Sequence, residues 1–139
     1  MNALFPALAL ALLLALSAGC APQPSLHEGP QSQLQKRSYQ SRVFMTPDRE
    51  KVLRAVIATL QDLGFVIDNA DALLGTVSAT RLDGDRIKIT VSVRPRGAEA
   101  QLVRATAQIN SFPIEDPKQY QNFFISLEKS LFLAAHAGE

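Results

Sequence analysis

Two stretches of strict alternation, separated by Pro95-Arg96-Gly97, limit what this chain can become. Ile87, Ile89, Val91 and Val93 fall on one side of an extended backbone, and Lys88, Thr90, Ser92 and Arg94 on the other. From Leu102 to Asn110 the pattern repeats, with Val103, Ala105, Ala107 and Ile109 opposed by Arg104, Thr106 and Gln108. A period of two places one row of side chains against a core and the other toward water. Thr76 to Arg81 precedes them across Asp83-Gly84-Asp85, a hairpin signal. Short turns make the strands sequential neighbours, so they pair antiparallel as a meander.

Helical periodicity frames this meander. Arg42-Val43-Phe44-Met45 reads as a short strand, and Thr46-Pro47-Asp48 opens a helix with Thr46 as cap and Pro47 in the first turn. Val52, Leu53, Val56, Ile57, Leu60 and Leu63 form its apolar stripe, and Gly64 ends it. Phe65-Val66-Ile67 reads as a strand, followed by a turn at Asn69-Ala70-Asp71. Asp116 and Gln119 make a capping box for a last helix, with Pro117 in its first position. Tyr120, Phe123, Phe124, Leu127, Leu131 and Ala134 or Ala135 supply its buried stripe. Phe132 and Leu133 make that stripe wider than one sheet contact needs. They either extend the core or meet a partner. The predicted order is β-α-β-β-β-β-α. It describes an α+β domain over 41–139, with an antiparallel sheet of four to five strands covered on one face by two amphipathic helices.

The N-terminus follows different rules. Residues 1–19 carry no charge, and Ala3 to Leu16 is almost entirely Ala, Leu and Phe. That run is too short to span a bilayer as a helix and fits the apolar core of a signal peptide. Small residues, Ser17-Ala18-Gly19, then lead to Cys20, the sole cysteine. The segment Leu16-Ser17-Ala18-Gly19-Cys20 resembles the lipobox of bacterial lipoproteins. The resemblance implies cleavage before Cys20, acyl chains of the palmitate type on that residue, and a protein moored to a membrane. Ala21 stands where this family uses Asp for inner-membrane retention. The implied address is therefore the periplasmic face of the outer membrane. An ordinary secretory leader cut after Gly19 would instead leave Cys20 as a lone thiol. Residues 20–40 read as the lipidated cysteine and a flexible tether. Pro22, Pro24, Pro30 and five glutamines accompany only Leu26 and Leu34 as large apolar residues.

Little in the chain offers chemistry. A formal net charge of +1 argues against a nucleic-acid binder. One cysteine forms no intramolecular disulfide. His27 in the tether and His136 near the C-terminus lack metal-ligand spacing, and Asp83-Gly84-Asp85 lacks the further ligands of a calcium loop. No serine has a nucleophile context, and no Gly-rich phosphate loop is present. The sequence thus predicts no catalytic residues, no metal and no cofactor. What remains is interaction surface. Arg81, Lys88, Arg94 and Arg104 are expected to share or border the polar sheet face, and Phe132 and Leu133 to offer an apolar one.

The run Val52-Leu53-Arg54-Ala55-Val56, then Leu60-Gln61-Asp62-Leu63-Gly64-Phe65-Val66-Ile67 and Gly75-Thr76-Val77, resembles small bacterial envelope lipoproteins. It is similar in pattern to the helix-grip domains of a lipoprotein component of the outer-membrane β-barrel assembly machine. The resemblance implies an interaction module without catalytic residues. The expectation is a non-enzymatic lipoprotein that docks within an envelope assembly, secretion or efflux complex. The alternative is a carrier or sensor of a lipid or other small ligand held between helix and sheet.

Overall fold

The computed structural model describes residues 30–136, with side chains from 33 to 133. The leader 1–19, Cys20, the first part of the tether and His27 lie outside the described residues, as do the side chains of Ala134, Ala135 and His136.

The alternating segments form the centre of a sheet. Thr76–Asp83 (β3), Asp85–Arg96 (β4) and Ala100–Ile109 (β5) pair antiparallel in the predicted meander. Val77, Ala79, Ile89, Val91, Val93, Val103 and Ala105 are buried on one face. Val66–Asp71 (β2) flanks β3, and Ser41–Phe44 (β1) crosses over to flank β5, giving the order β1-β5-β4-β3-β2. The α+β class and the antiparallel sheet are as the periodicity predicts. Among the described residues the sheet has six strands, because Phe112–Pro113 (β6) also pairs with β5. Two residues are too few to show alternation.

Several local readings are corrected by the structure. The turn after β2 lies at 72–75, since pairing with β3 extends to Asp71↔Thr76. There the Asp71 carboxylate accepts from the Leu74 amide at 2.7 Å. Pro95 does not end its strand: β4 runs to Arg96, with Pro95 opposite Gln101. At that point β3 has already ended, at Thr76↔Ser92, so Pro95 has a strand neighbour on one side only. The tether does not extend to Gln40 either. Pro30–Gln40 is a helix (α1) that packs on the domain. Its Tyr39 ring lies 5.3 Å from that of Tyr120, and Lys36 Nζ donates to Glu115 at 2.7 Å. These partners are about eighty residues away, so local composition gives no sign of them.

Arg49–Asp62 (α2) begins at Asp48, whose carboxylate accepts from the Lys51 amide at 2.8 Å. Asp48, not Thr46, is therefore the cap. An aspartate is the stronger acceptor for an orphan amide of the first turn. The predicted stop at Gly64 takes the form of a Schellman motif, with φ +82° at Gly64. The Gly64 amide donates to Gln61 and the Phe65 amide to Leu60, both at 2.9 Å. Pro117–His136 (α3) starts beside Asp116, which accepts from the Lys118 amide at 3.0 Å. Val52, Val56 and Leu60 of α2 join Tyr120, Phe123, Phe124 and Leu127 of α3 over the sheet's apolar face. Burying each such side chain contributes about 1.5–3 kcal/mol.

One polar group completes this layer. β1 covers β5 from Gln101 to Arg104 and β6 covers Gln108 and Ile109, which leaves a gap along the same edge. The Tyr120 hydroxyl fills it. It accepts from the Ala107 amide at 3.2 Å and donates to the Ile114 carbonyl at 2.7 Å. The Gln40 side-chain amide lies 3.4 Å from the same oxygen and ties α1 to this point.

Candidate interaction surfaces

Both amphipathic helices lie on one face of the sheet, so the other stands open. The register fixes what it carries. Arg104 sits between Ser41 and Ser92, and Ser92 faces Thr76. Thr106, Thr90, Ser78 and Asn69 make the next row, and Gln108, Lys88 and Thr80 the one after. Arg94 lies opposite Leu102, diagonal to Arg104. Thus Lys88, Arg94 and Arg104 share this face, as the alternation predicts, and all three are exposed. The outward positions of β3 from 76 to 80, of β4 from 88 to 94 and of β5 from 102 to 108 include no acid. Acids appear at the margin. Asp68 of β2 accepts from Thr80 Oγ1 at 2.7 Å, and Asp71 is held by its turn. Among the described residues the three cations form no salt bridge.

Arg81 does not belong to this face. It pairs with Ile87, on the helix-covered side. Its Nη1 donates to the Leu63 carbonyl at 3.0 Å, and its guanidinium stands 4.9 Å from the centre of the Phe65 ring. A cation against the C-terminal carbonyls of α2 complements the negative end of the helix dipole. Arg81 therefore caps α2 and is corrected from a surface candidate to a structural one. Parity carries the missed signal: Val77, Ala79 and Arg81 are two apart and share a face.

Beside Arg81 the sheet and α3 diverge to leave a cavity of about 130 Å³. Leu63, Phe65, Ile87, Ile114 and Phe123 are among its apolar lining residues, and Gln119 and Asn122 of α3 also border it. Nε of Arg81 is buried there without a partner. The space is largely apolar and lies between helix and sheet, where the alternative reading of the sequence expects a ligand.

Phe132 and Leu133 end up off the core. They are 64% and 66% exposed, while Phe124 and Leu127 turn inward. Met45, 79% exposed, joins Phe132 in lining a concavity with Phe44, Leu131 and Lys51. Met45 escapes a reading of the sequence, in which it is the end of a short strand. Its position after the last paired residue, Phe44↔Gln101, frees it from the sheet.

No cluster of three or more His, Cys, Asp or Glu converges among the described residues. No described helix is long and apolar enough to cross a membrane. Tyr39 is the one titrating group with a clear displacement among the described residues. Burial raises its pKa above the usual tyrosine value, with Tyr120 and Glu115 adding to the effect and Lys36 opposing it. No protein-family model matches the chain, and no curated protein sequence matches it.

Proposed function

We propose that this protein is a non-enzymatic docking module, moored by lipid on Cys20 at the periplasmic face of the bacterial outer membrane. It presents its open sheet face to an acidic partner in an envelope assembly, secretion or efflux complex. The observation that carries this reading is the run of three exposed cations, Lys88, Arg94 and Arg104, set among hydroxyl side chains with no acid between them. A face that served only for solubility would do better with both signs mixed. Unpaired guanidinium groups beside Ser and Thr hydroxyls instead suit carboxylate or phosphate oxygens, which accept from several donors at once. Lipidation rests on the lipobox pattern alone.

Charge reversal at all three positions (K88E, R94E, R104E) tests the face. These exposed sites change stability by about 0.5 kcal/mol or less each. The expected result is a native circular dichroism spectrum with loss of the partner crosslinks that wild type gives in intact cells. Unchanged crosslinks would remove the sheet face from the reading. Radiolabelled palmitate tests the anchor: wild type takes up label and C20S does not.

The cavity beside Arg81 favours a second reading, the carriage of a small ligand. At about 130 Å³ it is well below the several hundred Å³ of a typical ligand pocket. It is close to the size of an engineered cavity that takes benzene. It suits a chain end or a single ring rather than a whole lipid. Native mass spectrometry decides: a co-purifying mass lost on Ile87→Trp supports carriage, and a clean apo mass counts against it.

A further inference from the structure

The cavity beside Arg81 has an apolar body and one buried donor that no residue satisfies. Ile87, Ile89, Ala107, Ile114 and Phe123 line it. Tyr120 borders it too, but its hydroxyl is already engaged by the Ala107 amide and the Ile114 carbonyl. Arg81 differs. Its Nη1 donates to the Leu63 carbonyl at 3.0 Å, while Nε is buried with no hydrogen-bond partner among the described residues. Arg81 makes no salt bridge among those residues either. Leaving a buried donor of a charged group unpaired is costly, so the site favours whatever supplies an acceptor.

The guanidinium is also held in place. Its central carbon stands 4.9 Å from the centre of the Phe65 ring, and a Cβ at Gly64 would lie 3.5 Å from Arg81 Cδ. Leu63, Gly64 and Phe65 thus fix it from consecutive positions, which lowers the cost of ordering it on a ligand. With Nη1 engaged by Leu63, the edge formed by Nε and Nη2 remains. Parallel N–H groups on one edge match the two oxygens of a carboxylate. An alcohol or amide offers that edge a single oxygen and no charge. A water molecule would satisfy Nε alone and leave the apolar wall facing it. No Asp or Glu lines the cavity, and its border on α3 is formed by Gln119 and Asn122, both exposed and neutral. Nothing on this lining repels an anion.

Size limits the rest of the ligand. At about 130 Å³ the body is near the volume that takes benzene, so it admits a ring or a chain end of about six carbons. We propose that this cavity binds a small monocarboxylate, its ring or short chain among Ile87, Ile114 and Phe123 and its carboxylate on the Nε–Nη2 edge of Arg81. The proposal rests on the reading of this cavity as a ligand site, given above, and adds the charge and class of the ligand. Arg81 then serves twice: Nη1 caps α2, and the opposite edge selects the acid.

The whole protein, isotope-labelled and purified from its native cells, is titrated at neutral pH with benzoate and hexanoate and with their neutral counterparts, benzamide and hexanamide. Amide NMR shifts at Phe65, Ile87 and Ala107 locate binding, and the two acids separate a ring ligand from a chain ligand. The expected result is saturable binding of at least one acid, about tenfold or more tighter than its amide, as loss of a charge-assisted pair predicts. Q119E/N122E places two negative charges at the border through exposed substitutions that keep the fold. It should weaken the acid by about threefold or more and leave the amide unchanged. Ile87→Trp fills the body and should abolish both. An amide that binds as tightly as its acid overturns the carboxylate and leaves carriage standing. So does a co-purifying ligand, lost on Ile87→Trp, that carries no acid group. Acid binding that Q119E/N122E does not weaken, or that shifts other amides and not these three, overturns the site. Absence of shifts from every probe up to about 10 mM overturns it as well, and with a clean apo mass that result removes carriage too.

Discussion

Removing one oxygen, in Tyr120→Phe, tests whether a side chain completes the sheet. The ring is 2% exposed, and phenylalanine keeps its packing, including the tilted contact with Tyr39. Two backbone groups lose their partner: the Ala107 amide, which donates to the hydroxyl at 3.2 Å, and the Ile114 carbonyl, which accepts from it at 2.7 Å. A half-buried or buried group left without a partner costs about 1–3 kcal/mol, more than the net value of an ordinary hydrogen bond. Ala107 and Ile114 retain their own backbone bond at 2.9 Å, from the Ile114 amide to the Ala107 carbonyl, so the edge is loosened and not undone. The Gln40 contact, at 3.4 Å, is long and adds little. The expected loss is about 2–4 kcal/mol. A domain near 100 residues shifts its melting temperature by about 4–8 °C per kcal/mol, so a fall of about 8–32 °C follows. Urea unfolding measures the free energy, and amide exchange at Ala107 locates it. A loss below about 0.5 kcal/mol with unaltered exchange at Ala107 would refute the account. The edge would then be held by β1 and β6 alone.

Gly75→Ala should cost at least about 3 kcal/mol in urea unfolding. The residue has φ +67°, and a methyl group there would collide with the Arg49 guanidinium and the Val93 carbonyl. Arg81→Met should lower stability by about 1–2 kcal/mol through the lost cap on Leu63, yet leave the partner crosslinks of intact cells unchanged; loss of crosslinking at unchanged stability would return Arg81 to the proposed docking face. Tyr39 gives a pH signature. Its folded-state pKa is raised, so its contribution is fully present below the unfolded value near 10 and is lost as pH rises through the higher folded value. Melting temperatures followed from about pH 8 to 12 should fall at the alkaline end less steeply in Tyr39→Phe than in wild type.

The central sheet and the two core helices were legible because each has a local period. Ile89, Val91 and Val93 declare a strand without reference to any other segment, and Val52, Val56 and Leu60 declare a helix in the same way. The cations of the open face were legible for the same reason: Lys88, Arg94 and Arg104 occupy the alternate row. Arg81 is misplaced when its strand is judged by composition and not by parity with Val77 and Ala79. α1 was not legible, because what holds it comes from far along the chain: Tyr120 for Tyr39 and Gln40, and Glu115 for Lys36. With a polar, glutamine-rich sequence, its helix depends on tertiary contacts more than on propensity. The Tyr120 hydroxyl belongs to the same class. A tyrosine in an apolar stripe predicts burial, while the strand gap it fills exists only once β1 and β6 have taken their places.

The edges of the sheet bear on how a partner is met. Addition of a strand needs a free, regular edge. On the β5 side, β1 has four residues and β6 has two, with the Tyr120 hydroxyl between them and α1 against β1 and β5. On the other side, β2 breaks register between Ile67 and Asn69 and carries Asp68 and Asp71. A bulge and charge on an edge strand are the usual devices against strand pairing. Both edges are thus blunted, while Lys88, Arg94 and Arg104 of the open face form no salt bridge among the described residues. If the domain docks on a partner as proposed, blunted edges favour recognition through side chains over backbone hydrogen bonds. The proposed contact through the open face would be electrostatic and weaken with salt, because exposed charges are screened over about 8 Å at physiological ionic strength. Crosslinking from a photoreactive residue placed at Thr106, on the open face, that falls between about 50 and 500 mM salt fits this division. Crosslinking that resists salt would place the contact on apolar or backbone groups instead.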